Sequence, residues 1–222
     1  AGPATLEGTS LHTGQKVNLT IKPAPGGHGF KFCRVDLPDK PIIDADVSRV
    51  EQVERATTLA SGSVRVHTVE HVLSALTGMG VDNALIEMDA NEPPIGDGSA
   101  RPFVDPVRKA GLEEQESRRK TWEIREPIHF DDKNGSHITI VPYRGFRVSV
   151  TNLSHLGKFT QYFSSEVTPE LYESEIAPAR TFTFYEDIKP LLDQGLIKGG
   201  SLENAVVIRN EEILSKEPMR FD

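Results

Sequence analysis

The run Arg65–Gly80, RVHTVEHVLSALTGMG, limits this chain more than any other stretch. Val69, Val72, Leu73, Leu76 and Met79 recur at helical offsets, forming one apolar stripe of an amphipathic helix and fitting no strand. Thr68 is the expected N-cap, because its hydroxyl can accept from open N–H groups of the first turn. Glu70 and His71 then fall in that turn, where backbone N–H groups lack helical partners and the helix dipole is positive. A carboxylate is favoured in its ionised form there, as a general base requires, and a neutral imidazole is a metal ligand. Ser74 and Ala75 follow on the Glu–His face and are small enough to let another group approach. The same pair equally suits a plain helix start without chemistry, and this stretch alone does not decide between the two.

Composition narrows the class. A chain of 222 residues, 37% hydrophobic and 26% charged, can bury one large core or two small ones. A net charge of −8 argues against nucleic acid or an anionic membrane as the main partner, while leaving room for a local basic patch facing a phosphorylated ligand. Cys33 is the single cysteine, so no internal disulfide can form and a reducing compartment is expected. No apolar run approaches the roughly 20 residues of a membrane-spanning helix, and AGPATLEG lacks the charged and apolar parts of a signal peptide. The expectation is a soluble, cytoplasmic protein.

Before the helix, Gly8–Gly14 is a glycine-bounded turn, and Val17–Ile21 and Phe30–Val35 alternate as half-buried strands, separated by Pro23-Ala24-Pro25-Gly26-Gly27. The polar stretch Asp44–Glu54 leads to Thr57–Ala60 and a turn at Ser61-Gly62-Ser63. After the helix comes a strand, Asn83–Met88. The loop Asp89–Ser99, DANEPPIGDGS, is rich in carboxylates, but its spacing fits no EF-hand and reads as turn chemistry. Phe103–Leu112 predicts a second helix with Gly111 at its C-terminal end. Glu113–Lys120, EEQESRRK, has no apolar residue and marks a linker, dividing the chain into modules 1–114 and 122–222 joined by 115–121.

The second half restarts with strands at Thr121–Ile128, Ile138–Val141, Phe146–Thr151 and Thr160–Val167, with hairpin loops at Asp131–Gly135 and Pro142–Gly145. Pro169 suits the first position of a short helix. Tyr185–Gln194 predicts another, ended by Gly195 and interrupted in pattern by Pro190. The halves echo each other: a helix, a glycine turn, then Asp82-Asn83-Ala84 or Glu203-Asn204-Ala205 launching a strand. Two such joints do not demonstrate duplication. Together with the linker they point to an α+β fold of two similar modules, each setting helices against one face of a sheet.

Five motifs carry a resemblance: Gly8-Thr9-Ser10-Leu11-His12-Thr13-Gly14, Thr68-Val69-Glu70-His71, Asp97-Gly98-Ser99-Ala100, Ala177-Pro178-Ala179-Arg180-Thr181-Phe182 and Gly199-Gly200-Ser201-Leu202. In this order, over almost the whole chain, they resemble the zinc-dependent UDP-3-O-acyl-N-acetylglucosamine deacetylases of lipid A synthesis in Gram-negative bacteria. The resemblance implies two α+β modules whose helices pack together between outer sheets. It implies removal of acetate from the 2-amino group of UDP-3-O-acyl-N-acetylglucosamine, with Zn2+ as cofactor. By position, Glu70 matches the general base, His71 a zinc ligand, Thr181 a residue stabilising the tetrahedral oxyanion and Phe182 a residue contacting the sugar. Phe184–Leu202 matches the insert that forms an acyl-chain tunnel, so Ile188, Leu191, Leu192, Leu196, Ile197 and Leu202 are candidate lining residues; the same side chains equally suit a core.

The resemblance also leaves a gap. A catalytic zinc centre takes three protein ligands, and the family draws the other two, a His and an Asp four positions apart, from a helix that would follow Met219-Arg220-Phe221-Asp222. Those ligands, a substrate-contacting lysine and a second histidine are therefore expected beyond Asp222, and the second module is expected to be incomplete. His12 lies in a family motif and His67 beside the helix. His28, His129, His137 and His155 suit solvated or structural roles in turns and hairpins. Three readings follow: a piece of an ordinary zinc amidase, a chain completed by a second chain carrying the missing segment, or an inactive relative that binds a nucleotide sugar or acyl ligand.

Overall fold

Leu19, Phe32, Ile43 and Ile86 are almost fully buried although each comes from a different part of the sequence, and a sheet is what brings them together. The structure is a computed structural model describing residues 2–153, 160–210 and 212–220. Its Cα positions group Ala1–Ser117 with Pro169–Asp222 in one unit and Arg118–Thr168 in another.

In the first unit, β1 (Ala4–Thr9), β2 (Lys16–Pro23), β3 (Phe30–Arg34) and β4 (Ile42–Asp44) precede a sheet of β5 (Val50–Gln52), β6 (Thr58–Ser61) and β7 (Val64–Val66). Helix α1 (Glu70–Gly78), strand β8 (Ala84–Met88) and helix α2 (Arg101–Ala110) follow. The main sheet runs β1-β2-β8-β3-β4, antiparallel except where β3 pairs parallel with β8. Register places Ala4, Ile21, Ile86, Phe32 and Ile43 in one row across all five strands, and every one of them is buried. A slip of one residue in any strand would turn its member of the row to the other face, so burial pins the register. Helix α1 adds Val72, Ala75 and Leu76 to the core; α2 adds Phe103, Val104 and Val107 and packs on α1 and β1. The predicted stripe is thus the buried face, with Leu73 and Met79 at its half-buried margin.

The C-terminal part of this unit holds the short helix α3 (Pro169–Leu171), continued by a π-helical turn over Tyr172–Ile176. The Tyr172 ring crosses α1 at Gly78, where a Cβ would collide with it, and its hydroxyl is 2.8 Å from that of Ser74. What approaches the small-residue face of α1 is therefore a buried tyrosine. Strand β13 (Phe182–Phe184), helix α4 (Tyr185–Asp193), strand β14 (Val206–Arg209) and strand β15 (Glu212–Leu214) complete it. β13 and β14 are parallel, linked through α4, and β15 returns antiparallel. Pro190 is accommodated inside α4, which ends ahead of Gly195 as expected.

The second unit holds two hairpins. One pairs β9 (Ile128–Asp131) with β10 (His137–Ile140), the other β11 (Arg147–Asn152) with β12 (Gln161–Glu166). The expected strand Thr121–Ile128 is irregular up to its last residue: Pro127 offers no backbone donor, and pairing starts only beyond it. Pro142–Gly145 likewise joins strands that belong to different sheets rather than closing a hairpin. The fold class is α+β, and no helix among the described residues is long and apolar enough to cross a membrane.

Phe32 has no exposed surface at the middle of the five-strand row. Phe32→Ala is expected to lower unfolding free energy by about 3–5 kcal/mol, read as a drop in the urea midpoint at unchanged slope.

Candidate functional site

Thr68 is not the N-cap its hydroxyl would allow. Its backbone is left-handed, with φ of 54°, the helix starts at Glu70 behind Val69, and the hydroxyl donates instead to Glu92 Oε1 at 2.8 Å. A buried carboxylate is the stronger acceptor demand, and it takes the donor that a cap would have turned into an acceptor. Glu92 has no exposed surface; its oxygens also accept from the backbone N–H groups of His12, at 3.1 Å, and Thr13, at 3.0 Å. The sequence reading passed over Glu92 as one carboxylate among several in a loop. The apolar run Pro93-Pro94-Ile95 beside it was the signal the sequence offered, and the structure buries all three.

From the left-handed Thr68 the chain turns into α1 and brings Glu70 back to the start of β6. Glu70 Oε2 accepts from the Thr57 backbone N–H at 3.0 Å, which anchors one oxygen and sets the plane of the carboxylate. His71, one residue on, is half-buried. Burial lowers its pKa below the usual imidazole value, outweighing the nearby Glu70 and Asp97 charges and a hydrogen bond from the ring to the Ser99 backbone carbonyl, all of which raise it. The ring is therefore held neutral, the form in which an imidazole binds a metal.

Ser99 is in turn fixed by Asp97, whose Oδ1 accepts from the Ser99 N–H at 3.0 Å and hydroxyl at 2.6 Å, while Oδ2 accepts from Arg220 at 3.0 Å. Burial pushes the Asp97 carboxyl up, but these hydrogen bonds and the Arg220 charge prevail and hold it below the usual carboxylate range. Between them, Gly98 has φ of 85°, and a Cβ there would collide with the Asn204 carbonyl oxygen. The Gly98 carbonyl accepts from Thr181 N–H at 2.8 Å, and Arg101 N–H donates to Ala177 at 3.0 Å. Lys198 and Gly199 donate to the carbonyls of His12 and Leu11, at 3.2 and 3.0 Å.

The five sequence motifs, spread from Gly8 to Leu202, are thereby neighbours. His71 meets Ser99, Gly98 meets Thr181 and Asn204, Gly199 meets Leu11, and His12 meets Thr68 through Glu92. Phe182, next to Thr181, is half-buried with its ring edge-on to Phe184, centroids 6.2 Å apart. The acyl-chain candidates form no core: Leu192, Leu196 and Leu202 are exposed, and Ile188, Leu191 and Ile197 are half-buried.

Of the other histidines, His67 Nδ1 is 2.9 Å from the Thr58 hydroxyl, with its pKa lowered chiefly by burial. His28 follows the Pro25 turn, and burial lowers its pKa also. His129 bonds Thr139 and Asp131 on a hairpin, its ring 6.1 Å from that of His137. His155 lies outside the described residues, as do Phe221 and Asp222. Among the described residues no three His, Cys, Asp or Glu side chains gather as a metal-binding group. His71 alone falls short of the three protein ligands of a catalytic zinc centre.

Asp97 supplies a pH test. Its pKa is depressed on folding, so its stabilisation is fully present above the ordinary carboxylate value of about 4 and is lost as pH falls through the lower native value. Asp97→Asn is expected to cost about 1–3 kcal/mol at pH 7, with the gap to wild type closing in acid; urea titrations of both proteins at neutral and acid pH measure it.

The family model described as LpxC, UDP-3-O-acyl N-acetylglycosamine deacetylase, matches residues 1–222. The UDP-3-O-acyl-N-acetylglucosamine deacetylase of Myxococcus xanthus is 42% identical over 219 residues, 98% of this chain and 69% of that protein. That of Mannheimia succiniciproducens is 40% identical over 220 residues, 97% and 72%, and that of Methylococcus capsulatus 41% over 216 residues, 96% and 71%. In each relative the matched stretch is part of one longer polypeptide, which gives no support to a second chain carrying the missing ligands.

Proposed function

Since this chain belongs to the LpxC family, we propose that it hydrolyses the N-acetyl group of UDP-3-O-acyl-N-acetylglucosamine, releasing acetate, in lipid A biosynthesis. The observation that carries this reading is the convergence of the five motifs, with Glu70 and His71 at the start of α1 and Thr181 tied to the same Asp97–Ser99 turn.

Water adds to the amide carbonyl carbon while Glu70, anchored through one oxygen, takes the proton. Thr181 donates its hydroxyl to the oxygen of the tetrahedral adduct; its backbone is already held at both N–H and C=O, so little is reorganised as charge develops. The carbon–nitrogen bond then breaks, and the amine leaves with the proton that Glu70 took from the water. Phe182 contacts the sugar, and Ile188, Leu191, Leu192, Leu196, Ile197 and Leu202 present an apolar surface to the acyl chain. Zn2+ is the proposed cofactor, supplying Lewis acidity toward the carbonyl. His71 fits it as a neutral donor with a fixed ring; the donors that would complete three lie outside the described residues.

The two-module division at 115–121 belongs to the same proposal. It is supported by the like joints of the halves, each a strand launched by acidic-Asn-Ala that pairs parallel with an earlier one. A lone, buried thiol at Cys33 is at home in the reducing cytoplasm, where we place the reaction.

Acetate release from UDP-3-O-acyl-N-acetylglucosamine by the zinc-loaded protein is the direct test. Glu70→Ala is expected to lower kcat by about 10²–10⁴ with zinc content unchanged. Near wild-type turnover in that variant removes Glu70 from the mechanism, and substrate binding without any release by the wild type supports a binding-only relative instead.

A further inference from the structure

We propose that Glu92 is a positioning residue of this site: its buried carboxylate ties the His12–Thr13 turn to the left-handed Thr68, and so sets where α1 presents Glu70 and His71. The inference rests on the deacetylase reading for its kinetic arm alone. Glu92 has no exposed surface, and both its oxygens are engaged, by the N–H groups of His12 and Thr13 and by the Thr68 hydroxyl. One residue earlier, the Asn91 carbonyl accepts from His67 N–H at 2.8 Å, so Asn91–Glu92 runs along His67–Thr68 and grips it twice.

What this grip holds is unusual. A β-branched residue with φ of 54° is strained unless its surroundings over-determine it. The strained residue turns the chain from β7 into α1. Two residues later, Glu70 reaches back to the Thr57 N–H, and the Thr57 carbonyl accepts from Val69 N–H at 3.4 Å. Release of Thr68 would let the chain relax toward ordinary helical entry, moving the first turn and with it the Glu70 carboxylate. Burying a carboxylate is a poor way merely to close a loop, since apolar groups of the same volume often serve stability as well. A carboxylate is useful here because it accepts from backbone and hydroxyl of two separate segments at once.

Glu92→Gln keeps the shape but sets an NH2 against N–H and O–H donors, so at least one of these bonds is lost. In the full, zinc-loaded protein well below its melting temperature, the variant is expected to lose at least about tenfold in kcat with KM within about twofold, the pattern of a displaced group that acts in the transition state. Independently of activity, the amide resonances of His12 and Thr13 should move, and so should that of Thr57, which Glu92 does not touch and which reports on the Glu70 carboxylate. Glu92→Asp, which keeps the charge, should recover part of kcat. A lowered melting temperature with kcat and the Thr57 resonance unchanged would overturn the proposal. If Glu92→Gln does not fold, Thr68→Val, which replaces only the donated hydroxyl by a methyl group, decides by the same two readings. An inactive wild type would count against the deacetylase reading, while the Thr57 resonance still decides the role of Glu92.

Discussion

A carboxylate removed from water must be met by donors, and at Glu92 that requirement organises the polar part of the first unit. Its donors come from the turn after β1 and from Thr68, two residues before α1, segments that share no strand pairing with one another. The apolar part is organised by the row Ala4, Ile21, Ile86, Phe32 and Ile43 across the main sheet. Helix α1 joins the two: Val72, Ala75 and Leu76 go into the core, while its first turn stays among the polar loops. The depth at which Glu70 and His71 sit therefore follows from hydrophobic burial, and their direction from hydrogen bonding to a loop.

The same division of labour recurs at Asp97. Short-range bonds to Ser99 shape a turn whose backbone then serves three other segments: the Ser99 carbonyl meets the His71 ring, the Gly98 carbonyl meets Thr181, and the bare Cα of Gly98 lets Asn204 come close. Arg220 closes the arrangement from the far end of the described chain. Backbone groups do most of this work, which keeps the positions of His71 and Thr181 insensitive to side-chain rotamers.

Much of the secondary structure was legible because it rests on local rules. The 3.6-residue stripe located α1, alternation located β2 and β3, the glycine turn and Asp82-Asn83-Ala84 joint led into β8, Gly111 marked the end of α2, and Pro169 marked the first turn of α3. Three-residue strands such as β4, β5 and β7 carry too few residues for a period to show, and their pairing is set by neighbours. Thr121–Ile128 pairs only at Ile128, and Pro142–Gly145 had the turn residues without a hairpin, because strand pairing is decided at long range. The π-helical turn at Tyr172 left no trace in the pattern; the slot beside Gly78 that receives the ring is a tertiary feature.

At the site, the residue types and their order were written in the chain: Glu70 and His71 in a first helical turn, the Asp97 turn, and Thr181 after a small-residue run. Local chemistry determines these, since helix starts and glycine turns depend on residues a few positions apart. Which of them meet was decided by the tertiary structure. A hydroxyl such as that of Thr68 can cap a helix or donate to a carboxylate, and the choice fell to Glu92, 24 residues away. The burial that keeps the His71 ring neutral, and the carbonyl that holds it, likewise belong to packing that no local stretch encodes.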